Sequence, residues 1–367
     1  MNATTSTSPS LAPLHFAVIG AGMAGVVAAR TLLQAGHRVT LFEKSRGVGG
    51  RMATRRTEFG GFDHGAQYFT VRDPRFDLVL RQTASALVRP WSVSTVRVLD
   101  AFGHLVASAP PPTERHWVAT PGMNALVGLW AKPLAQPELH GQLPARCELN
   151  TRVLRIERDA LAHQRWQLQT EDADGGRHVH SGFDRVVLAI PHVQADDLLK
   201  ASALAPALRQ AMAPVTVAPC WTLMVAFPQA MQPGLGQLGP QWNAARSTHH
   251  RIAWLTRESS KPARDPIERW TVQANPTWSA EHLEDDPERV KAKLLKAFSE
   301  VTGIRATPPH AVVHRWRYAQ TQQPLGQPFL LDSELGVGVC GDWCLGHRVE
   351  DAFVSGLELA LAVLKKR

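Results

Sequence analysis

Three glycines and one carboxylate near the start of this chain form the motif with the clearest chemistry. Gly20, Gly22 and Gly25 have the G-x-G-x-x-G spacing, and the acid Glu43 follows. In this pattern the first glycine permits a tight turn, the second lets a pyrophosphate approach the backbone, and the third allows a helix to pack closely. An acid roughly 20 residues further on holds a ribose. The pattern predicts a dinucleotide-binding site.

The elements that position these residues must be a strand, a helix and a second strand. His15–Ile19 is a short apolar run, typical of a strand buried on both faces, and Val39–Phe42 is another. Between them we predict a helix over Met23–Gln34, which Gly36 ends. Its N-terminus favours negative charge because free N–H groups point out of it. This context makes the glycine motif far more specific than the motif alone.

A second glycine-rich segment, Lys44–Met52, directly follows the acid and bears on the choice of cofactor. Gly49 and Gly50 let the chain pass close to a ligand, and Arg51 offers a fixed fork of donors to phosphates. An NAD dehydrogenase does not need this loop, whereas in one large class of flavoproteins it folds back over FAD. The alternative is an ordinary surface loop with a solvated arginine. The segment favours FAD over NAD(P).

Charge and composition disfavour other classes of partner. The chain has 367 residues, enough to bury a large core, and a formal net charge of +8. Its basic residues are scattered, without a long run, and no nucleic-acid-binding motif is visible. We therefore expect anionic small molecules as partners and no nucleic acid.

The remaining sequence features predict a cytoplasmic protein without a metal site or membrane anchor. The four cysteines are Cys147, Cys220, Cys340 and Cys344. None forms a zinc-type C-x₂-C pair, and reduced thiols are the default expectation in the cytosol. Residues 1–13 are a Ser/Thr/Pro-rich segment, predicted to be a disordered leader rather than a secretory signal. The apolar run 16–35 contains three glycines and Arg30, which argues against a membrane span.

Several further motifs carry a resemblance to a known group of flavoproteins. They are Glu43–Met52, Phe62–Asp73, Trp117–Met123, His314–Ala319, and Cys340–Cys344 followed by Arg348–Glu350. On these residues the chain resembles the monoamine-oxidase-like flavoproteins and, within them, the bacterial renalase branch, from Phe16 to Leu364. It departs from that pattern at two positions where glycine is usual. One is His347, directly before Arg348, and the other is Asp351. We expect these departures, both beside the predicted flavin, to affect substrate choice more than FAD binding.

The resemblance implies an α/β fold with two domains. We expect a FAD-binding Rossmann-like domain with a mainly parallel sheet, and a smaller substrate domain with an antiparallel sheet. The cofactor domain is discontinuous in this superfamily, and the sequence agrees. We assign 14–70, 115–199 and 331–367 to the cofactor domain and 71–114 and 200–330 to the substrate domain. Within the latter, Thr216–Phe227 is a strand candidate and Pro287–Thr302 a helix candidate.

The resemblance also implies the reaction. Non-covalently bound FAD would oxidise the 2- and 6-dihydro isomers of NAD(P)H to NAD(P)⁺ by hydride transfer to flavin N5, and molecular oxygen would be reduced to hydrogen peroxide. A dihydropyridine gives up hydride because its ring becomes aromatic, so the site needs a slot for the ring and anchors for the phosphates. The lysine that monoamine and polyamine oxidases place near flavin N5 has no counterpart in His314–Ala319, which argues against simple amine oxidation.

On the substrate side, the candidate catalytic residues are Trp316, His314 and Tyr318. Trp316 could equally be a core residue, since tryptophan is usually buried. Tyr68 is expected beside the cofactor with Gln67 rather than against the substrate.

On the cofactor side, a predicted strand over Gly336–Asp342 would deliver Asp342 to the ribityl hydroxyls, unless this acid is a plain N-cap. Superfamily resemblance suggests that the Val153 backbone contacts the adenine. The predicted cofactor-binding residues are Gly20, Ala21, Gly22, Met23, Ala24, Glu43, Lys44, Gly50, Arg51, Met52, Gln67, Tyr68, Val153, Asp342, Val349 and Ala352.

Two other functions fit the same motifs. One is an amine oxidase or a desaturase-like flavoenzyme of larger apolar substrates. The other is a non-catalytic, redox-sensing flavoprotein.

Overall fold

The computed structural model describes residues 12–91, 96–106, 114–135, 145–231 and 242–365. Residues 1–11 of the predicted leader lie outside these ranges. The sequence also predicts a strand over Leu105–Ala109, and its residues 107–109 lie outside the described ranges as well. Leu105 forms an isolated bridge with Leu99.

The first of two large sheets has the N-terminal strand near its centre. Its strands are β1 (His15–Ile19), β2 (Arg38–Phe42), β8 (Ala145–Glu148), β12 (Arg185–Leu188), β18 (Leu330–Asp332) and β19 (Val337–Val339). They lie in the order β18–β19–β12–β1–β2–β8. All neighbours are parallel except β18, which runs antiparallel at the edge. This is the mainly parallel sheet that the sequence predicts.

Alternate residues of β1 belong to separate cores on the two faces of this sheet. Phe16 and Val18 pack with the helices of one side, and Ala17 and Ile19 with those of the other. The first side holds α1 (Met23–Gln34), α2 (Pro74–Ala84), α3 (Asn124–Ala135) and α8 (Val349–Lys365), and the second holds α4 (His192–Ala201) and α5 (Pro206–Met212). Because strand side chains alternate between faces, burial of both faces explains the continuous apolar run.

The second large sheet is antiparallel apart from one edge strand. Its strands are β6 (Val96–Leu99), β13 (Thr216–Phe227), β14 (Ala244–Ser247), β15 (Ile252–Arg257), β16 (Glu268–Ala274) and β17 (His310–Gln323). They lie in the order β17–β13–β16–β15–β14–β6, and only β6 and β14 are parallel.

One face of this second sheet is covered and the other faces the site. Helix α7 (Pro287–Thr302) packs on apolar residues that include Trp221 and Leu223. On the opposite face, Cys220 pairs in register with Trp316 and Thr222 with His314. The helix over one face therefore leaves the other face available to form a cavity wall.

Smaller elements join the two sheets. They are a three-stranded sheet of β9 (Arg152–Arg158), β10 (Trp166–Glu171) and β11 (Arg177–Phe183), the pair β3 (Thr54–Thr57) and β4 (Gly60–Asp63), the pair β5 (Val88–Trp91) and β7 (His116–Ala119), and helix α6 (Pro276–Glu281). Among the described helices, none combines the length and apolar character needed to span a membrane. The division into a cofactor and a substrate domain stays a proposal.

One sequence-based element needs correction. The strand expected over Gly336–Asp342 is confined to β19, because the ladder with β12 ends where the Cys340 N–H donates to the Leu188 carbonyl oxygen. Asp342 instead begins a short 3₁₀ turn, Asp342–Cys344. By contrast, α1, α7 and β13 have the predicted bounds.

Candidate functional site

A cavity of about 2180 Å³ is lined by residues from both large sheets. The loops after β1 and β2, the segment 64–68, strand β17 and the start of α8 all contribute. Pockets for a single small molecule usually measure roughly 300–1,000 Å³. The cavity is therefore large enough for more than one ligand.

The loop between β1 and α1 forms one end of this cavity. Gly20 has a φ of +102°, and a Cβ there would lie 2.5 Å from the Ala189 carbonyl oxygen, so only glycine fits. At Gly22, a Cβ would meet only the Gly50 Cα, at 4.0 Å. The backbone at Gly22 is therefore open to the cavity. It lies at the N-terminus of α1, where backbone N–H groups favour a phosphate.

Glu43 completes this end at the close of β2. Its carboxylate accepts hydrogen bonds from the backbone N–H groups of Ala21 and Ser45, both at 2.8 Å. Lys44 and Val153 also line the cavity. The two hydrogen bonds hold the carboxylate at the wall, which is the position that a ribose-binding acid requires.

Arg51 and Asp342 form an ion pair at the cavity wall. Arg51 Nη1 donates to Asp342 Oδ2 at 2.8 Å, Nη2 donates to Oδ1, and Nη1 also lies 3.4 Å from the Ala319 carbonyl oxygen. From the sequence we expect the guanidinium to bind phosphates and the carboxylate to bind ribityl hydroxyls. In the structure the two groups bind each other, because opposite charges in a half-buried place form strong bidentate hydrogen bonds.

Three rings, His64, His314 and Trp316, form an aromatic group on the wall made by β17. The His64 and Trp316 rings stack with centroids 5.2 Å apart, and His314 meets Trp316 edge-on at 4.4 Å. Trp316 Nε1 donates to the His64 carbonyl oxygen at 2.8 Å, which fixes the indole. All three line the cavity. They offer flat apolar surface for a ring ligand.

A second set of rings surrounds Tyr68. Its ring stacks on His116 at 3.8 Å and lies 5.7 Å from Trp254. Tyr68 and Trp254 line the cavity. Tyr68 is thus part of an aromatic wall of the cavity.

Neither cavity-lining imidazole of the aromatic group is charged at neutral pH. Burial, together with the neighbouring His314 and Arg55, lowers the pKa of His64 to about 4. Burial and Arg55 lower the pKa of His314 to about 4 as well. The wall at Trp316 therefore combines stacking surface with neutral nitrogen atoms.

The cavity as a whole is strongly cationic. Its described lining has nine arginines and one lysine against the carboxylates of Glu43, Asp197 and Asp342. The part of the lining supplied by the strands of the second sheet contains Arg246, Arg315 and Arg317. Among its described residues this part holds no aspartate or glutamate, and the one lysine, Lys44, is on the opposite side. Such a surface attracts anions and repels cations.

The arginines of the cavity differ in whether a carboxylate binds them. Arg315 and Arg317 share the exposed carboxylate of Glu284. Arg246, and Arg55 on β3, have no carboxylate partner within the described ranges. These two are the side chains best placed to bind an anionic ligand without losing an ion pair.

The structure brings almost every predicted site residue to this one cavity. All candidates except Ala21 line it: Gly20, Gly22, Met23, Ala24, Glu43, Lys44, Gly50, Arg51, Met52, Gln67, Tyr68, Val153, His314, Trp316, Tyr318, Asp342, Val349 and Ala352. Sequence reasoning missed Arg55, Arg246 and Trp254, which also line it. Arg246 and Trp254 belong to strands without a recognisable motif, so no local pattern could have identified them.

The two departures and the cysteine beside the last motif have distinct environments. His347 lines the cavity, whereas Asp351 accepts a hydrogen bond from the Arg348 N–H at 2.9 Å and is not among the described lining residues. Cys344 is buried, which raises its pKa to about 12, and is also absent from that lining. Its thiol fits a structural role rather than covalent attachment to a flavin.

Comparisons with known proteins identify the family. Residues 112–364 match the family described as flavin containing amine oxidoreductase, and residues 18–83 match the NAD(P)-binding Rossmann-like domain. Over 50 residues the chain is 58% identical to an L-amino-acid oxidase of Bungarus fasciatus, a match that covers 14% of this chain and 10% of that protein. The chain thus spans about a tenth of the length of the first curated relatives it matches.

Two solved structures share the fold. A proposed protoporphyrinogen oxidase from Exiguobacterium sp. 255-15 gives a TM-score of 0.72 at 15% identity, with 98% of this chain and 100% of that chain covered. Cyclohexylamine oxidase from Brevibacterium oxydans IH-35A gives 0.69 at 14% identity, with 96% and 99% covered.

FAD fits the residues present. The open backbone at Gly22 leaves room for a pyrophosphate, the volume admits a dinucleotide, and the cationic lining suits its charge. FAD is accordingly the cofactor. The chain belongs to the flavin-containing amine oxidoreductase family.

Proposed function

We propose that this protein oxidises the 2- or 6-dihydro isomers of NAD(P)H to NAD(P)⁺, as its resemblance to bacterial renalases implies. The observation that carries the proposal is the charge of the second-sheet wall. Arg246, Arg315 and Arg317 line it, and its described lining residues include no carboxylate; Arg315 and Arg317 pair with Glu284 outside that lining. An amine substrate is a cation at neutral pH and would be repelled there, whereas the phosphates of a dinucleotide would be attracted.

The proposed reaction makes modest demands on side chains. Bound FAD supplies a two-electron acceptor that oxygen reoxidises, with release of hydrogen peroxide. The substrate loses a hydride from a ring carbon and becomes aromatic, so no side chain has to remove a proton. The neutral aromatic group His64, His314 and Trp316 would hold the ring, and the arginines would hold the phosphates. Free cysteines fit a reducing compartment, and we propose the cytoplasm.

A second candidate is the oxidation of an α-amino acid. The short match to an L-amino-acid oxidase favours it, and an arginine could bind the carboxylate of such a substrate. Monoamine and polyamine oxidases place a lysine near flavin N5, and no described lining lysine is in such a position here. The one lysine of the described lining, Lys44, follows β2 at the nucleotide end, which is against this candidate.

Anaerobic stopped-flow mixing of the holoenzyme tests both candidates. We expect 2- or 6-dihydro-NAD to bleach the flavin band within one turnover and to yield one NAD⁺ per flavin. In air, one hydrogen peroxide should form per NAD⁺. Flavin that resists both isomers but is bleached by L-amino acids would replace the proposal with the second candidate, and bleaching by simple amines alone would replace it with amine oxidation. Flavin reduced by none of them would indicate a non-catalytic flavoprotein.

A further inference from the structure

Four charged side chains are buried together between β4 and the second sheet. Asp63, Glu258 and Lys261 have fully buried side chains, and that of Arg264 is 2% exposed. Asp63 ends β4, and the other three follow β15. We call these four residues the buried ion cluster. None of them lines the cavity.

Asp63 is the centre of the cluster. Lys261 Nζ and Arg264 Nη2 each lie 2.8 Å from its Oδ2 atom. Its Oδ1 atom accepts hydrogen bonds from Thr54 Oγ1 at 2.6 Å and from the Met123 N–H at 2.9 Å. Burial would raise the pKa of Asp63, but Lys261 and Arg264 bring it below its usual value. Asp63 is therefore an ionised carboxylate, bound by cations on one side and by neutral donors on the other.

Stability alone does not account for such a cluster. Charges lose their hydration on burial, and apolar residues of similar size often stabilise a fold as well or better. A buried ionic group does, however, fix one geometry, since each charge requires its partner. The cluster would therefore fix the segment of chain that is bound to it.

That segment is His64–Tyr68, which lines the cavity directly after Asp63. Gln67 Nε2 donates to the Asp63 carbonyl oxygen, and Lys261 Nζ lies 3.5 Å from Gln67 Oε1. The Asp63 N–H donates to Glu258 Oε1 at 3.1 Å. The cluster thus binds the backbone at Asp63 through Glu258 and the side chain of Gln67 through Lys261.

The same segment connects the cluster to the reaction side of the cavity. The His64 carbonyl oxygen accepts from Trp316 Nε1 at 2.8 Å, and the Gly65 carbonyl oxygen from Gln273 Nε2 at 2.8 Å. The Ala66 N–H donates to the Arg51 carbonyl oxygen at 2.8 Å. The segment therefore lies between the cofactor loop and β17.

We propose that Lys261 is a positioning residue, which through Asp63 and Gln67 fixes the segment His64–Tyr68 and thereby the orientation of Trp316 against the reacting ring. The inference rests on the proposed function only in taking the Trp316 wall as the substrate side.

The test compares three holoenzymes. In Lys261→Met/Glu258→Gln, the glutamine keeps an oxygen for the Asp63 N–H. Asp63 and Arg264 remain as an ion pair, so the protein should fold. Lys293→Met is the matched control, since Lys293 pairs with Asp285 outside the cavity lining. The double variant should keep its FAD and a KM for 6-dihydro-NAD within about twofold, but lose at least about tenfold in the rate constant of flavin reduction, because small displacements of an aligned group are costly.

Hydrogen exchange at residues 64–69 gives a readout that does not depend on the substrate. It should speed up in the double variant and match the wild type in Lys293→Met. A double variant with a wild-type reduction rate would overturn the inference. If 6-dihydro-NAD does not reduce the wild type, the proposed function fails, and unchanged exchange in the double variant would then refute the positioning role separately.

Discussion

The two ends of the cavity are built in opposite ways. The nucleotide end uses residues close together in sequence, with open backbone at Gly22 and hydrogen bonds from main-chain N–H groups to Glu43. The substrate end collects side chains from distant strands, with arginines such as Arg246 and rings such as Trp316. We propose from this comparison that cofactor choice depends on local backbone geometry, whereas substrate choice depends on how the second sheet places charge and flat surface.

The largest effect should follow from filling the backbone opening at the nucleotide end. In Gly22→Ala the added methyl meets only the Gly50 Cα, at 4.0 Å, so the apoprotein should fold, but the methyl occupies space that a pyrophosphate needs. We expect FAD binding to weaken by about 100-fold, or about 2.8 kcal/mol, measured by the visible spectrum after reconstitution. Gly128→Ala is the control, since a Cβ there meets nothing within 4 Å and Gly128 is not among the described lining residues. Equal yellow colour in both variants would contradict the assignment of Gly22.

A smaller loss of FAD should result from Asp342→Asn. The change leaves the partly buried Arg51 without its anion and replaces one of the two oxygens expected to accept from ribityl hydroxyls with a donor NH₂ group. We expect FAD binding to weaken by about tenfold, about 1.4 kcal/mol, in a titration followed by flavin fluorescence. Asp351→Asn should bind FAD as the wild type does, because Asp351 is not among the described lining residues. Matching affinities in the two variants would remove Asp342 from the cofactor site.

At the substrate end, loss of a free cation should affect substrate binding without releasing FAD. For Arg246→Met we expect the KM for 6-dihydro-NAD to rise about tenfold, corresponding to about 1.4 kcal/mol, with little change in kcat. The measurement is steady-state kinetics from oxygen uptake. Lys293→Met should keep the wild-type KM. A change in kcat alone would contradict a phosphate-binding role.

The smallest effect concerns pH. The pKa of His64 and of His314 is lowered to about 4 in the folded state, mainly by burial. In the unfolded chain these groups bind protons near the usual value of about 6.5, so the unfolded state holds more protons between pH 6.5 and 4. Stability should therefore be full above about pH 6.5 and decrease as the pH falls towards 4. Thermal unfolding should show a shallower decrease for His314→Gln, and identical pH profiles would show that His314 does not contribute.

The sequence could predict the nucleotide end because its determinants are local. The bounds of α1 and the arrival of Glu43 at the end of β2 follow from apolar periodicity and glycine spacing. Longer-range pairing had no such basis. Nothing in the sequence indicates that Lys261 reaches Asp63 across 198 positions, or that Arg51 pairs with Asp342. Trp316 was identified only through family resemblance, and its contact with the His64 carbonyl oxygen depends on the fold.

The central claim is that the substrate end selects an anionic dihydropyridine by charge. Its most direct test is the ratio of kcat/KM for 6-dihydro-NAD to that for the corresponding dihydronicotinamide riboside, which has the same reacting ring but no phosphate. The account predicts a ratio of at least about 10 that decreases with added salt, since screening weakens attraction between exposed charges. Equal values at every salt concentration would contradict it.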